Sequence, residues 1–255
     1  MNRIDQAFQR ARAEQRAAFI PFVTAGDPDL ETTRRIILAA QQAGADVIEL
    51  GFPFSDPIAD GPTIQASYTR VLERGQRSEE VFRMVEALRA ESEIPVVAMI
   101  SYSLVFRMGF DRFLERACAA GLDGATIPDL PLEEMRQFQD AAEQRGLHLV
   151  TFVTPATTGE RRELAASLAR GFIYYIAVRG ITGERDSMPE DLAQNLQELK
   201  ALTDVPVAVG FGISRAEHAR AVARVADGVI VGSAIVKRIH AAFEEDGDPA
   251  RAADG

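Results

Sequence analysis

Ala43-Gly-Ala-Asp-Val-Ile-Glu-Leu-Gly51 closes one helical run and opens a short strand, and the phrase recurs along the chain. Gly44 stops the helix, and the following residues are apolar apart from Glu49. Ala120-Gly-Leu-Asp123 repeats this turn, and Val225-Ala-Asp227 repeats it without the glycine. Outward from that unit, β-rich runs stand at 18–24, 46–51, 95–101, 124–128, 147–153, 172–178, 206–211 and 228–231. Amphipathic helical runs alternate with them at 30–43, 63–74, 78–92, 110–120, 132–145, 160–169, 189–202, 215–225 and 233–243. Eight strand–helix units in 255 residues predict an α/β fold, the (β/α)8 TIM barrel. Strands rich in Val and Ile suit burial on both faces. Residues 2–16 predict an extra N-terminal helix across the barrel bottom. A doubly wound open sheet is the rival, weakened by the strand count and by the lack of a G-x-G-x-x-G turn after the first strand. Without a linker, residues 1–255 read as one domain, with an acidic tail from Glu244 expected to fray.

Composition narrows the function. With 28 basic against 38 acidic residues the net charge is −10, which disfavours nucleic-acid or anionic-membrane partners. Cys118 is the lone cysteine, so no internal disulfide forms. The polar start and the lack of any apolar run near ~20 residues predict a cytoplasmic protein. Only Lys200 and Lys237 are lysines, and both fall on helices, badly placed for a Schiff base. His148 falls in a strand and His218 and His240 on helices, so neither a metal cluster nor a Ser-His-Asp set is readable. Cys118, on a helix, reads as a small buried apolar residue.

Acid/base chemistry remains. Val47, Glu49 and Gly51 share one strand face, and a carboxylate among apolar neighbours loses hydration, which favours its neutral form. The loop Phe52-Pro-Phe-Ser-Asp-Pro-Ile-Ala-Asp60, stiffened by two prolines, carries Asp56 and Asp60. Two carboxylates in unlike surroundings suit proton transfer. A strand-end ion pair at Glu49 and turn-favouring Asp residues are the plainer readings. Late in the chain, Gly180-Ile-Thr-Gly183, Gly210-Phe-Gly-Ile-Ser214 and Gly232-Ser233 each follow a strand. Unpaired N–H groups there, with the hydroxyls of Thr182 and Ser233, can cradle a phosphate. Any one of these glycines also suits a tight turn.

Together these stretches resemble the tryptophan synthase α subunit family. The resemblance rests on residues 21–28 (Pro-Phe-Val-Thr-Ala-Gly-Asp-Pro), 49–65, Pro128-Asp-Leu-Pro131, the three glycine loops and Gly232-Ser-Ala-Ile-Val-Lys237. It implies retro-aldol cleavage of indole-3-glycerol phosphate to indole and glyceraldehyde 3-phosphate, in tryptophan biosynthesis. It implies Glu49 and Asp60 as the catalytic carboxylates and Tyr174 as an active-site tyrosine. Phe22, Ile64, Tyr102, Phe211 and Ile213 would contact substrate; Thr182, Gly183, Gly212, Gly232 and Ser233 would surround the phosphate. It also implies a β-subunit partner in an αββα heterotetramer, with Pro53 and Asp56 at the contact. Pyridoxal phosphate would belong to that partner, with no cofactor and no metal in this chain. Ser101-Tyr-Ser103, Arg179 before Gly180 and a short C-terminus depart from the family pattern. A stand-alone indole-releasing lyase, a silent barrel that only activates a β subunit, and another phosphate-binding barrel stay open at this point.

Overall fold

The computed structural model describes residues 1–58, 60–177, 191–210 and 212–246. Eight strands close into a parallel barrel in sequential order. They are β1 (Ala18–Thr24), β2 (Ile48–Gly51), β3 (Val96–Met99), β4 (Gly124–Thr126), β5 (His148–Val153), β6 (Ile173–Ile176), β7 (Val207–Gly210) and β8 (Gly228–Val231). The described helices are α1 (Arg3–Ala13), α2 (Leu30–Gln42), α3 (Pro62–Glu73), α4 (Ser78–Leu88), α5 (Tyr102–Met108), α6 (Phe110–Ala120), α7 (Leu132–Gln144), α8 (Gly159–Leu168), α9 (Leu192–Lys200), α10 (Ala216–Ala223) and α11 (Ser233–Asp246).

Strand alternation splits the core in two. Ile48, Leu50, Val96, Ala98, Leu149 and Val207 pack outward against the helices. Ala18, Ile20, Val47, Val97, Val150, Phe172, Ala208 and Ile230 fill the barrel with Ile4, Ala7, Phe8 and Ala11 of α1. The predicted N-terminal helix therefore plugs the barrel floor. Phe8 stacks on Phe172 with ring centroids 5.5 Å apart. Each such large side chain contributes about 1.5–3 kcal/mol on burial. A capping box of Asn2 and Asp5 starts α1, and the Asn2 amide donates to the carbonyls of Asp123 (2.8 Å) and Gly146 (2.7 Å).

The recurring aspartate ties strands together. Asp46 accepts the N–H of Phe19 in β1, Asp123 that of Val96 in β3, and Asp227 that of Val207 in β7. Each also pairs with a cation: Arg16 with Asp46, Arg3 and Arg89 with Asp123, Lys200 with Asp227. An even-numbered strand thus grips the odd-numbered strand before it, at the end away from the catalytic loops. Before β6 the corresponding position is Gly171, and the device is absent there.

Three sequence expectations change. The helix α5 was not expected; seven residues are too few for a periodic signal, and Ser101 caps it while Gly109, at φ +85, ends it. Glu244, where the tail was expected to begin, lies inside α11, which runs to Asp246. Cys118 is half-buried, with its thiol toward the Arg145 carbonyl. Among the described residues no helix is long and apolar enough to cross a membrane.

Candidate active site

Glu49 stands on the inner face of β2, one step above Val47 of the barrel floor. It is 1% exposed. Gly51, one step higher, leaves room that Phe22 and Tyr68 fill: a Cβ there would come within 2.4 Å of the Phe22 ring and 2.7 Å of the Tyr68 hydroxyl. The Thr126 hydroxyl donates to Glu49 Oε1 at 3.2 Å, while Oε2 is buried with no partner among the described residues. Burial pushes the Glu49 carboxyl up to about 8; the Thr126 bond opposes this and the charge of Asp60 adds to it. At neutral pH this group keeps its proton.

Asp60 ends the loop after β2. Phe52 anchors the start of that loop, its ring 5.1 Å from that of Phe82. Gln65 of α3 anchors the end by donating to the Asp60 carbonyl at 2.8 Å. Arg70 of the same helix pairs with Asp27 (2.6 Å), and Arg74 donates to the Gly26 carbonyl (2.7 Å), fixing α3 against the loop after β1. Burial first, then the nearby charge of Asp129, lifts Asp60 to about 6. Two carboxyls thus differ in protonation at neutral pH. The hydroxyls of Tyr68 and Tyr174 are pushed well above their ordinary value, chiefly by burial and then by these two carboxyls, so both stay neutral donors.

A narrow cavity open to solvent is lined by Asp60, Tyr68, Met99, Ser101, Pro128 and Asp129, with Phe52, Phe54, Pro57, Ile58 and Ile100. A wider opening of about 600 Å³ shares Pro128 and Asp129 and continues over Val150 and Phe152. Phe152 lies against Tyr174, centroids 4.8 Å apart. Apolar walls with a few converging polar groups suit a flat aromatic ligand with a polar edge.

The family model for the tryptophan synthase alpha chain matches residues 8–253. This chain belongs to the tryptophan synthase alpha chain family. It is 45% identical over 239 residues to the alpha chain of Thermoanaerobacter pseudethanolicus, covering 94% of this chain and 91% of that one. It is 46% identical over 240 residues to that of Synechococcus elongatus, covering 94% and 90%. Its fold is similar to tryptophan synthase subunit alpha of Legionella pneumophila, with TM-score 0.90 at 36% identity, covering 100% of this chain and 95% of that one. A chain from the tryptophan synthase α2β2 complex of Pyrococcus furiosus, described in terms of mutual activation, matches with TM-score 0.83 at 38% identity, covering 92% and 96%.

Within this alpha-chain barrel several expected site residues come together. Phe22 packs with Tyr68 and Val236, and Ile64 and Met99 lie against them. Gly232 faces Phe22 and Ile64: a Cβ there would sit 3.6 and 3.7 Å away, in ordinary contact. Ser233 opens α11; Ile213 is buried and directly follows Gly212, whose φ is +76. Tyr102 differs: its ring packs 6.1 Å from both Phe106 and Phe138 and does not line the cavity beside Asp60. Pro53 is buried and Asp56 exposed. Thr182, Gly183 and Phe211 lie outside the described residues, as do Arg179 and Gly180.

Sequence reasoning gave no role to Thr126, Tyr68 or Asp129. Asp129 accepts from the Ser101 hydroxyl (2.7 Å) and the Tyr102 N–H (2.6 Å), so it caps α5. Its signal was present: a carboxylate between prolines after a strand, the pattern that singled out Asp60. Among the described residues no group of three His, Cys, Asp or Glu side chains is gathered to hold a metal ion.

Proposed function

We propose that Glu49 and Asp60 perform the acid/base chemistry of this family's reaction, the retro-aldol cleavage of indole-3-glycerol phosphate to indole and glyceraldehyde 3-phosphate. The observation that carries the assignment is the Glu49 carboxyl, buried, held up to about 8 and with Oε2 unpartnered. Such a group is protonated at neutral pH and has a free oxygen to offer. Glu49 gives its proton to C3 of the indole ring, and the ring nitrogen takes up the positive charge. Asp60, largely ionised above about 6, accepts the ring N–H and stabilises that charge. Glu49, now a carboxylate, takes the proton from the adjacent glycerol hydroxyl. The C–C bond breaks, its electron pair returns to the ring, the aldehyde forms, and Glu49 regains its proton.

Tyr174 and Tyr68, both neutral donors, border this chemistry. Phe22, Ile64 and Ile213 wall the indole. Gly232 and Ser233 receive the phosphate at the start of α11, with Gly212, Thr182, Gly183 and Phe211 completing the site. The α2β2 complex of the Pyrococcus furiosus relative supports a β subunit as partner, meeting Pro53 and Asp56, with pyridoxal phosphate held by that partner. The test is indole release from indole-3-glycerol phosphate by wild type and Glu49→Gln, each with and without a β subunit. A fall of about 10²–10⁴-fold in the variant is expected; retained activity overturns the assignment.

A further inference from the structure

Thr126 offers Glu49 its only hydrogen bond among the described residues, and that hydroxyl has two places to send one proton. Its Oγ1 lies 3.2 Å from Glu49 Oε1 and 3.4 Å from the carbonyl oxygen of Ala98. Thr126 is fully buried on β4, in register with Met99 of β3, and the Glu49 carboxyl reaches past β3 to meet it. The proposed cycle needs Glu49 in both protonation states. A carboxylate draws a donor strongly to Oε1; an acid that keeps its proton on Oε2 for the substrate lets that donor turn elsewhere. A hydroxyl can follow both states, because it rotates.

We infer that Thr126 is a positioning residue that serves both forms of Glu49, its hydroxyl turning between the Glu49 carboxylate and the Ala98 carbonyl as the proton leaves and returns. With Glu49 ionised, Thr126 donates to Oε1. With Glu49 protonated, the proton lies on Oε2, the oxygen that faces substrate, and the Thr126 hydroxyl turns toward Ala98 while staying in contact with the now uncharged Oε1. Either way the carboxyl plane is held and Oε2 stays directed to substrate. The inference rests on Glu49 as the proton-transfer group.

The titratable groups facing Glu49 are Asp60 from the loop after β2, Tyr68 from α3 and Tyr174 from β6. Asp129 in turn faces Asp60. None of them bonds the Glu49 carboxyl, so the hydroxyl can be removed without disturbing another bonded partner. Thr126→Val keeps the shape and the β-branched preference of a strand and deletes only the hydroxyl. Thr126→Ser keeps the hydroxyl and loses a methyl.

The experiment compares wild type, Thr126→Val, Thr126→Ser and Glu49→Gln as full chains, with folding checked by circular dichroism. Steady-state kinetics of indole release are taken across pH, and the Glu49 carboxyl band is titrated by difference infrared spectroscopy with Glu49→Gln as the blank. A hydrogen bond to a charged group accounts for about tenfold or more. Thr126→Val is therefore expected to lose about tenfold or more in kcat with little change in KM. Its Glu49 midpoint and the basic limb of the pH profile should both move to higher pH. Thr126→Ser should restore both. If Thr126→Val titrates and turns over as wild type does, while Glu49→Gln is inactive, the inference is overturned and the catalytic assignment stands. If Glu49→Gln itself remains active, the assignment falls; an unmoved Glu49 midpoint in Thr126→Val then overturns the inference independently of turnover.

Discussion

Asp129 and Asp60 stand in the wall of one cavity, and after burial it is the charge of Asp129 that lifts Asp60 to about 6. The same carboxylate caps α5 through the Tyr102 N–H, so one residue sets both a helix start and the charge state of a catalytic neighbour. Asp129→Asn separates the two roles. The amide oxygen can still accept from the Tyr102 N–H, but the charge is gone. Asp60 works ionised, so activity falls as pH drops through its pKa. Removing a negative neighbour favours the ionised form, and the acid limb of kcat/KM should move to lower pH, by up to about one unit. A pH profile of indole release checks this, and an unmoved limb would refute the coupling.

Glu49 makes a different prediction, about stability. Its ordinary value is 4.5 and its folded value about 8. Below both values folded and unfolded chains hold the proton equally. Between them only the folded chain holds it, so stability falls as pH rises through this window. Above about 8 the full cost of a buried charge is present. Glu49→Gln, which cannot ionise, should therefore gain stability relative to wild type as pH rises from about 5 to 9, by an amount of the order of a few kcal/mol. Urea unfolding at several pH values measures it. A constant difference across the range would mean the carboxyl is hydrated in the folded state.

The two late glycines separate turn geometry from ligand approach. Gly212 has φ +76, so any side chain is strained there: Gly212→Ala should cost about 1–2 kcal/mol whatever binds. Gly232 has no such constraint, and a Cβ would meet Phe22 and Ile64 only at ordinary distances. Among the described residues nothing demands glycine at 232, which fits a backbone kept bare for phosphate. Gly232→Ala should keep its melting temperature while binding glyceraldehyde 3-phosphate about tenfold more weakly, a loss near one hydrogen bond to a charged group. Calorimetry with unchanged affinity would remove Gly232 from the phosphate site.

Much of the fold was readable because its units repeat. The turn phrase ending in Asp46, Asp123 and Asp227 announced three strand starts, and the structure gives its cause in the N–H each aspartate accepts. Glu49 stood out because a lone charge in an apolar strand has few structural uses. Thr126 was not readable: it lies 77 residues from Glu49, and only barrel closure brings the two together. The helix α5 and the packing of Tyr102 against Phe138 escaped for a related reason, since seven residues show no period and the ring packs against a later helix.

The repeated aspartates should not be equal in strength. Asp123 is 3% exposed and meets Arg89, whose side chain is only 13% exposed. Asp227 and Lys200 are about a third exposed, at 30% and 33%. Asp123→Ala leaves Arg89 buried without its carboxylate and strips the Val96 N–H of its acceptor, which should cost about 3–5 kcal/mol. Asp227→Ala breaks a solvated pair and should cost about 1 kcal/mol, chiefly for the Val207 N–H. Urea denaturation of the two variants compares them, and equal losses would contradict the burial argument.

The loop that carries Asp60 also carries Asp56, and this links catalysis to a partner. Phe52 and Pro53 are buried and Gln65 holds the Asp60 carbonyl, so the loop is fixed at both ends while Ser55 and Asp56 stand exposed, hydrogen-bonded to each other. Ile58 within the loop is 78% exposed, and Phe106 of α5 is 73% exposed. Phe106 stacks on Tyr102, whose N–H is held by Asp129, the neighbour that sets Asp60. Asp56, on the loop that carries Asp60, and Phe106, linked to Asp60 through Tyr102 and Asp129, are both open to a β subunit. Coupling of this kind is reciprocal: if the partner tightens ligand binding, ligand tightens the partner. Indole release should rise when a β subunit is added, and the subunits should associate more tightly with a substrate analogue bound. Asp56→Ala should reduce both effects by about fivefold or more, while affinity for glyceraldehyde 3-phosphate alone stays near wild type. Titrating the β subunit into wild type and Asp56→Ala, with and without analogue, decides it: equal subunit affinity with and without ligand in wild type would mean that the Asp56 loop transmits nothing to Asp60.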